Sequence, residues 1–261
     1  MQLRIVLVRP EHDVNVGSAC RAAKNFGCTD LALVNPVAQL GFQARLYAKH
    51  SEELLAGAKR CTSLAGALRG CDVAVATTGV PGRFAGGLKK CLSLPRLPAF
   101  VRGRRRVALV FGPESSGLSR EELDACDAVV AIPSSPLHEV LNLSHAVAVV
   151  LYELYARGAA KESAAGESAA GEVAAGDGAA REGGKKAAVK GVLASRAKRL
   201  LLEKAFRRIS AGVPSVRDCR KVAKAFQNVL ERSRVGEDEA QALLAVLGPL
   251  SRRLDLRRRS A

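Results

Sequence analysis

Val107-Ala108-Leu109-Val110-Phe111-Gly112-Pro113-Glu114-Ser115-Ser116-Gly117-Leu118 is the stretch on which the reading of this chain turns. Its first five residues are apolar throughout and too few for a helix, which fits a buried strand. Gly112-Pro113 cannot continue that strand. Ser119-x-x-Glu122 ahead of Leu123 is a capping box, so a short helix begins there. A second apolar run, Ala128-Val129-Val130-Ala131-Ile132, ends in Pro133-Ser134-Ser135-Pro136, and a long helix is expected from about Asn142. Two strands thus deliver two Gly/Pro-rich loops to one edge of a parallel sheet, where open α/β sheets bind ligands. On composition alone, ordinary strand–helix connections account for the pattern equally well.

Upstream, Leu3–Val8 is strand-like and leads through Arg9-Pro10-Glu11-His12-Asp13 into a helix from about Asn15 to Phe26, closed by Gly27. Val16, Ala19, Cys20, Ala23 and Phe26 recur at the spacing of one buried face. Arg21 falls roughly opposite that face. A solvated arginine is the ordinary reading of such a position. Gly17, one turn earlier, leaves room beside the guanidinium. Leu31–Val34 is a second strand, helical segments follow around 42–58 and 62–69, and Asp72–Ala76 is a third strand. That strand runs into Thr77-Thr78-Gly79-Val80-Pro81-Gly82-Arg83. Residues 81–106 are Gly/Pro-rich and carry Lys89, Lys90, Arg102, Arg104, Arg105 and Arg106, a cationic flap suited to RNA phosphates or simply solvated.

Three of these stretches resemble the motifs of the SPOUT RNA methyltransferases, in the TrmH/TrmJ branch that methylates ribose 2′-hydroxyls. They are Asn15-Val16-Gly17-x(3)-Arg21, Phe111-Gly112-Pro113-Glu114-x-x-Gly117-Leu118, and Ile132-Pro133-x(7)-Leu141-Asn142-Leu143, and the match covers roughly residues 1–157. The resemblance implies a parallel α/β sheet whose C-terminal part forms a trefoil knot. It implies S-adenosylmethionine as cofactor, cradled by the backbone of Thr77, Thr78, Gly79, Gly112, Ile132, Glu139, Val140 and Leu141. Arg21 matches the essential arginine, with Asn15 and Asn142 orienting it, and Glu114 matches an acid that braces the knot loops or that arginine. An arginine stays protonated at ordinary pH. Holding the adjacent phosphate and stabilising the forming alkoxide therefore suits Arg21 better than acting as a base. Val140 stands where the family commonly has Ser, a hydroxyl that Ser135 or Ser144 can replace. His12 and His145 are the imidazoles nearest these motifs in sequence, and each also reads as a structural histidine.

Composition narrows the partners. The chain has 261 residues and a net charge of +16, and residues 185–261 hold 20 Lys/Arg against 7 Asp/Glu. A basic appendage on a nearly balanced body favours a polyanion. Seven cysteines without a C-x-x-C pair suggest neither a disulfide framework nor a metal site, and a reduced, cytoplasmic setting fits. The apolar helix at 143–155 is too short to span a bilayer, so no membrane is expected. It is apolar nearly all round, which points to burial on both sides and a homodimer contact. Residues 158–184 contain three tandem five-residue repeats, Glu162–Gly166, Glu167–Gly171 and Glu172–Gly176, a linker that cannot bury a core.

Helices resume near Val189. One is marked by Leu193, Ala197, Leu200, Leu201, Ala205 and Ile209. A second is capped by Ser215-x-x-Asp218 and carries Val222, Ala225, Phe226, Val229 and Leu230. A third carries Ala240, Leu243, Leu244 and Leu247 before Gly248-Pro249. The expected organisation is a catalytic domain at 1–157, a linker at 158–184 and a small all-α RNA-binding domain at 185–261. A helical C-terminal domain resembles what the TrmJ branch adds, which implies 2′-O-methylation of tRNA at position 32 of the anticodon loop, on cytidine or uridine. The competing readings are an rRNA 2′-O-methyltransferase and a non-catalytic RNA-binding protein that keeps the fold. A dinucleotide enzyme would need a G-x-G-x-x-G after the first strand, and the chain has none.

Overall fold

The computed structural model describes residues 1–79, 91–169, 193–213, 216, 218–233 and 235–259. Its seven strands are β1 (Gln2–Val8), β2 (Asp30–Val34), β3 (Lys59–Cys61), β4 (Val73–Thr78), β5 (Cys91–Ser93), β6 (Arg106–Phe111) and β7 (Ala128–Ala131). They form one sheet in the order β3-β2-β1-β6-β4-β7-β5, and every pairing is parallel. Such a sheet is covered on both faces, which is why its strands read as unbroken apolar runs. Alternate residues serve two cores. Ile5, Leu7, Leu33, Val75, Leu109 and Phe111 face α1 (Asp13–Asn25) and α7 (Leu143–Ala169), whereas Val6, Ala32, Ala74, Ala108 and Val110 face the other way with Leu68 and Leu123. Because β6, β4 and β7 are neighbours, the loops leaving their carboxyl ends are neighbours too.

Several boundaries differ from expectation. The helical stretch expected around 42–58 is two short helices, α2 (Phe42–Tyr47) and α3 (Glu52–Ala56), the second starting after Ser51, with His50 between them at a positive φ of 65°. The short α4 (Leu64–Ala67), α5 (Leu97–Val101) and α6 (Arg120–Asp124) connect strands, and α6 carries the expected capping box between Ser119 and Glu122. β3 and β5 were not expected. At three residues each they have no periodicity to read. Asn142 caps α7, its Oδ1 accepting from Ser144 N at 2.9 Å. The helix continues beyond 157 to Ala169, through the first repeat and into the second, because Ala and Glu are strong helix formers. The later repeats lie outside the described residues. So do residues 81–90 of the expected flap, Lys89 and Lys90 among them, while 91–106 form β5, α5, the start of β6 and their connections.

Gly17 does not leave open space. A Cβ there would lie 2.2 Å from Ala44 O and 2.9 Å from Ala48 N, so α2 already occupies the room beside α1. The glycine is a packing requirement.

The C-terminal helices α8 (Arg196–Gly212), α9 (Cys219–Ser233) and α10 (Glu237–Arg259) surround Leu202, Leu230 and Ala240. Of the residues expected to mark α8, Ala205 is buried but Leu200 and Leu201 are exposed, while Leu202 and Arg199 are buried. On α9 only Leu230 of the expected stripe is buried, with Val222 and Val229 exposed. Ser215 lies outside the described residues, and Asp218 caps α9 by accepting from Lys221 N at 2.9 Å. α10 passes through Pro249 rather than stopping there. Proline inside a helix costs about 3 kcal/mol. Leu254 packing over Gly212 shows what the continued helix gains.

A buried acid sets the rotation of α8. Asp127, just before β7, accepts from Arg199 Nη1 at 3.2 Å, Arg196 Nε at 3.3 Å and Ala74 N at 2.7 Å. Arg196 also donates to Ala125 O at 2.7 Å, and Arg104 of the expected flap donates to Ala194 O at 3.2 Å. Arg104 is buried in this seam, where it cannot meet phosphate.

Gly17→Ala is expected to lower stability by about 1–3 kcal/mol through overpacking against α2. Thermal melting of the variant should show a midpoint several degrees lower; an unchanged midpoint would show that α2 yields freely.

Candidate active site

The loops after β4, β6 and β7 meet in one cleft of about 330 Å³. Thr77, Thr78 and Gly79 form one wall, Gly112 to Leu118 a second, and Glu139, Val140 and Leu141 a third, with Ile132 at the base. All eight residues expected to hold a cofactor therefore line the same space. Each loop is shaped for close approach. A Cβ on Gly112 would lie 2.4 Å from Gly117 C and Leu118 N, so only glycine lets this loop fold back on itself. Gly117 completes the turn at a φ of +67°, its N–H donating to Pro113 O at 2.9 Å. Gly79 faces Glu139 O and Val140 Cα, which a Cβ would meet at 3.3 and 3.4 Å.

A chain of hydrogen bonds ties the three motifs together. Asn15 Nδ2 donates to Glu114 Oε1 at 2.7 Å, and Glu114 Oε2 accepts from Glu11 N at 3.0 Å. Asn142 Nδ2 donates to Asn15 Oδ1 at 2.8 Å. Asn142 Oδ1 then accepts from the Ser144 hydroxyl at 2.8 Å. Of the two serines considered as substitutes at Val140, Ser144 is the one joined to this network, while Ser135 Oγ accepts from Leu137 N. Arg9, beyond β1, pairs with Glu122 and so fastens the capping box behind the Gly112–Leu118 loop.

Arg21 stands apart. It lies about 9 Å along α1 from Asn15 and about 120° round it. Its side chain is exposed, and among the described residues nothing hydrogen-bonds to it. Neither Asn15, Asn142 nor Glu114 orients Arg21 within this chain, since their hydrogen bonds join one another instead. Glu114 joins its loop to Glu11 and Asn15 at the start of α1.

The lining fits one cofactor chemistry better than others. Apolar Phe111, Ile132, Leu123 and Leu143 offer a floor for an adenine ring, and the loops offer backbone groups. Among the described residues the only charged groups on the walls are the carboxylates of Glu114 and Glu139. A cationic sulfonium suits such walls; a nucleotide phosphate would meet no Lys or Arg there among the described residues.

Comparison with known proteins agrees with this geometry. The SpoU rRNA Methylase family model matches residues 2–152. The chain belongs to that family. Over 159 residues it is 36% identical to the tRNA (cytidine-2′-O-)-methyltransferase TrmJ of Methanocaldococcus jannaschii, a match covering 60% of this chain and 69% of that one. Over 160 residues it is 37% identical to the tRNA (cytidine/uridine-2′-O-)-methyltransferase TrmJ of Pectobacterium atrosepticum, covering 58% of this chain and 63% of that one. The chain thus spans under two thirds of that bacterial relative. The crystal structure of TrmJ from Z. mobilis ZM4 superposes with a TM-score of 0.68 at 22% identity, covering 96% of this chain and 99% of that one. At that identity the likeness concerns the fold, and it extends through the C-terminal helices of this SpoU family member.

Two kinds of contributor gave little sign of themselves in the sequence. Leu123 and Ala146 complete the lining but look like ordinary core residues. Asp127 carried a faint signal, an isolated acid between Cys126 and a fully apolar strand.

Glu122 supplies a pH test. Burial pushes its carboxyl up, but the hydrogen bond and charge of Arg9 with the Ser119 backbone outweigh this, leaving it below its ordinary value. A depressed folded-state value stabilises above the unfolded value of about 4.3, and that stability is lost as pH falls through the folded value. Urea unfolding between pH 6 and 3 should therefore show a smaller loss for Glu122→Gln than for the unaltered chain; parallel losses would remove Glu122 from the acid response.

Proposed function

We propose that this chain transfers the methyl group of S-adenosylmethionine to a ribose 2′-hydroxyl of tRNA, at position 32 of the anticodon loop, on cytidine or uridine. The observation that carries the reading is the single cleft in which the loops of three adjacent strands meet, its walls free of cations among the described residues. Family membership and the two tRNA methyltransferase relatives support the reaction and the substrate. Bound S-adenosylmethionine would supply an electrophilic methyl on sulfur. Thr77, Thr78, Gly79, Gly112, Ile132, Glu139, Val140 and Leu141 would hold it through backbone groups. In this reading the fold also carries the trefoil knot of its branch, supported by the packing of Gly79 against residues 139–140.

Arg21 is the proposed catalytic cation, gripping the neighbouring phosphate and stabilising the alkoxide as the 2′-proton leaves to phosphate or water. Glu114, Asn15 and Asn142 hold the loops in register. Since Arg21 is exposed and does not line its own cleft, we place its action in a homodimer, facing the partner's cleft. Exposed apolar surface on α7 supports that contact: Tyr152 and Tyr155 are 60% and 57% exposed and lie against Phe26. Residues 1–157 form the catalytic domain in this proposal, 158–184 the connector and 185–261 the RNA-binding domain. The proposed setting is the cytoplasm, with its tRNA. Among the described residues no helix is long and apolar enough to cross a membrane.

Arg21→Ala should abolish methyl transfer to bulk tRNA while S-adenosylmethionine still binds by calorimetry and the protein still sediments at twice its chain mass. Loss of cofactor binding would make Arg21 structural, and sedimentation of the unaltered protein at the chain mass would refute the dimer. Lys204, Arg207, Arg220 and Lys221 are exposed on α8 and α9. Their joint replacement by Ala should weaken tRNA binding and flatten its salt dependence; unchanged affinity would remove the helices from RNA contact.

A further inference from the structure

A second cleft shares a wall with the first. Glu11, His12, Asn15, Gln39, Phe42, Gln43 and Asn142 are among its lining residues, and Asn15 hydrogen-bonds to Glu114 of the cofactor cleft. At its lip Phe42 is 78% exposed, in a chain with seven phenylalanines, three tyrosines and no tryptophan. The turn that presents Phe42 is fixed from below. Asp13 Oδ1 accepts from Leu40 N and Oδ2 from Gly41 N, both at 2.8 Å, and Val37 N and Ala38 N donate to Pro10 O at 3.0 and 2.9 Å. Leu40 is held at a φ of 60°, a conformation that a leucine adopts only when its surroundings impose it. This turn joins β2 to α2; Ala38 in it is buried in the core and Leu40 packs against that core, while Phe42 at its end is left outside.

From this we infer that the second cleft receives the base of the nucleotide being methylated, with Phe42 stacking on its face. The inference rests on the methyltransferase reading above. RNA bases outside a duplex are held by stacking on aromatic side chains and by hydrogen bonds along their edges. Phe42 offers the first. Gln39, Gln43 and His12, all exposed around the same opening, offer donors and acceptors for the second. A base seated there sets its ribose towards the Asn15–Asn142 wall, beyond which lies the cofactor cleft. Aliphatic partners would leave those amides unmatched, which favours a base over the surface of another protein.

The test compares the unaltered full-length chain with Phe42→Ala and Phe42→Trp, using tRNA and labelled S-adenosylmethionine. Phe42→Ala should raise KM for tRNA about tenfold or more. KM for S-adenosylmethionine, melting temperature and sedimenting mass should stay as they were. Phe42→Trp, which keeps a stacking face, should restore KM for tRNA to near the unaltered value. A Phe42→Ala enzyme with tRNA kinetics within twofold of the original overturns the inference. So does a change in sedimenting mass, which would assign Phe42 to a subunit contact. Absence of transfer by the unaltered chain would instead sink the underlying reading, and this inference with it.

Discussion

Three loops from separate parts of the chain hold their positions because one carboxylate and two amides join them. Glu114 accepts from Asn15 and from the backbone of Glu11, and Asn15 in turn accepts from Asn142. Asn15 is 7% exposed. Each polar group in this series leans on the next, so losing one member leaves others unsatisfied at about 1–3 kcal/mol apiece. The cleft needs this because its walls are loops, and loops have little packing of their own to define them. Strand order brings the loops near one another; the hydrogen bonds hold the loops after β6 and β7 to the start of α1.

That division explains what sequence could and could not supply. Five of the seven strands were legible from apolar runs, since an all-parallel sheet buries both faces and leaves no alternation to confuse them; β3 and β5 were too short to read. The loop motifs were legible because Gly112 and Gly117 sit where a Cβ or an ordinary φ would break the turn. Gly17 misleads for the opposite reason. A glycine on a helix face signals close approach, but sequence does not name what approaches, and here it is α2 rather than a substrate. Asn15 and Asn142, expected beside Arg21, hydrogen-bond to each other within this chain. Their spacing in sequence, 127 residues, carries no sign of a direct bond.

The C-terminal helices show a different failure of pattern. An apolar stripe predicts the buried face of a helix only where apolar burial outweighs every other local demand. On α8 the stronger demand is to pair Asp127, itself 7% exposed, and Arg199 turns inward to do so. Leaving either charge alone in such a place costs about 3–5 kcal/mol, more than burying one leucine returns. Leu200 and Leu201 consequently face outward. A charged residue in the interior thus decides the rotation of a helix whose periodicity suggested another answer.

The docking of that helix also limits how RNA is held. Asp72, Arg104, Ala125 and Asp127 all precede their strands, so the bundle sits at the amino ends of β4, β6 and β7. The cofactor cleft sits at the carboxyl ends of the same strands. A strand of six residues is roughly 20 Å long. The basic helices and the cleft of one protomer are therefore separated by at least the length of those strands. On the proposed function, RNA in the cleft lies at the opposite strand ends from those where α8 docks. An RNA that uses both must extend past the edge of the sheet, or else meet the helices of a second copy. On the proposed function, the positive charge concentrated after residue 185 would serve parts of the polyanion distant from the reacting ribose, adding affinity rather than chemistry.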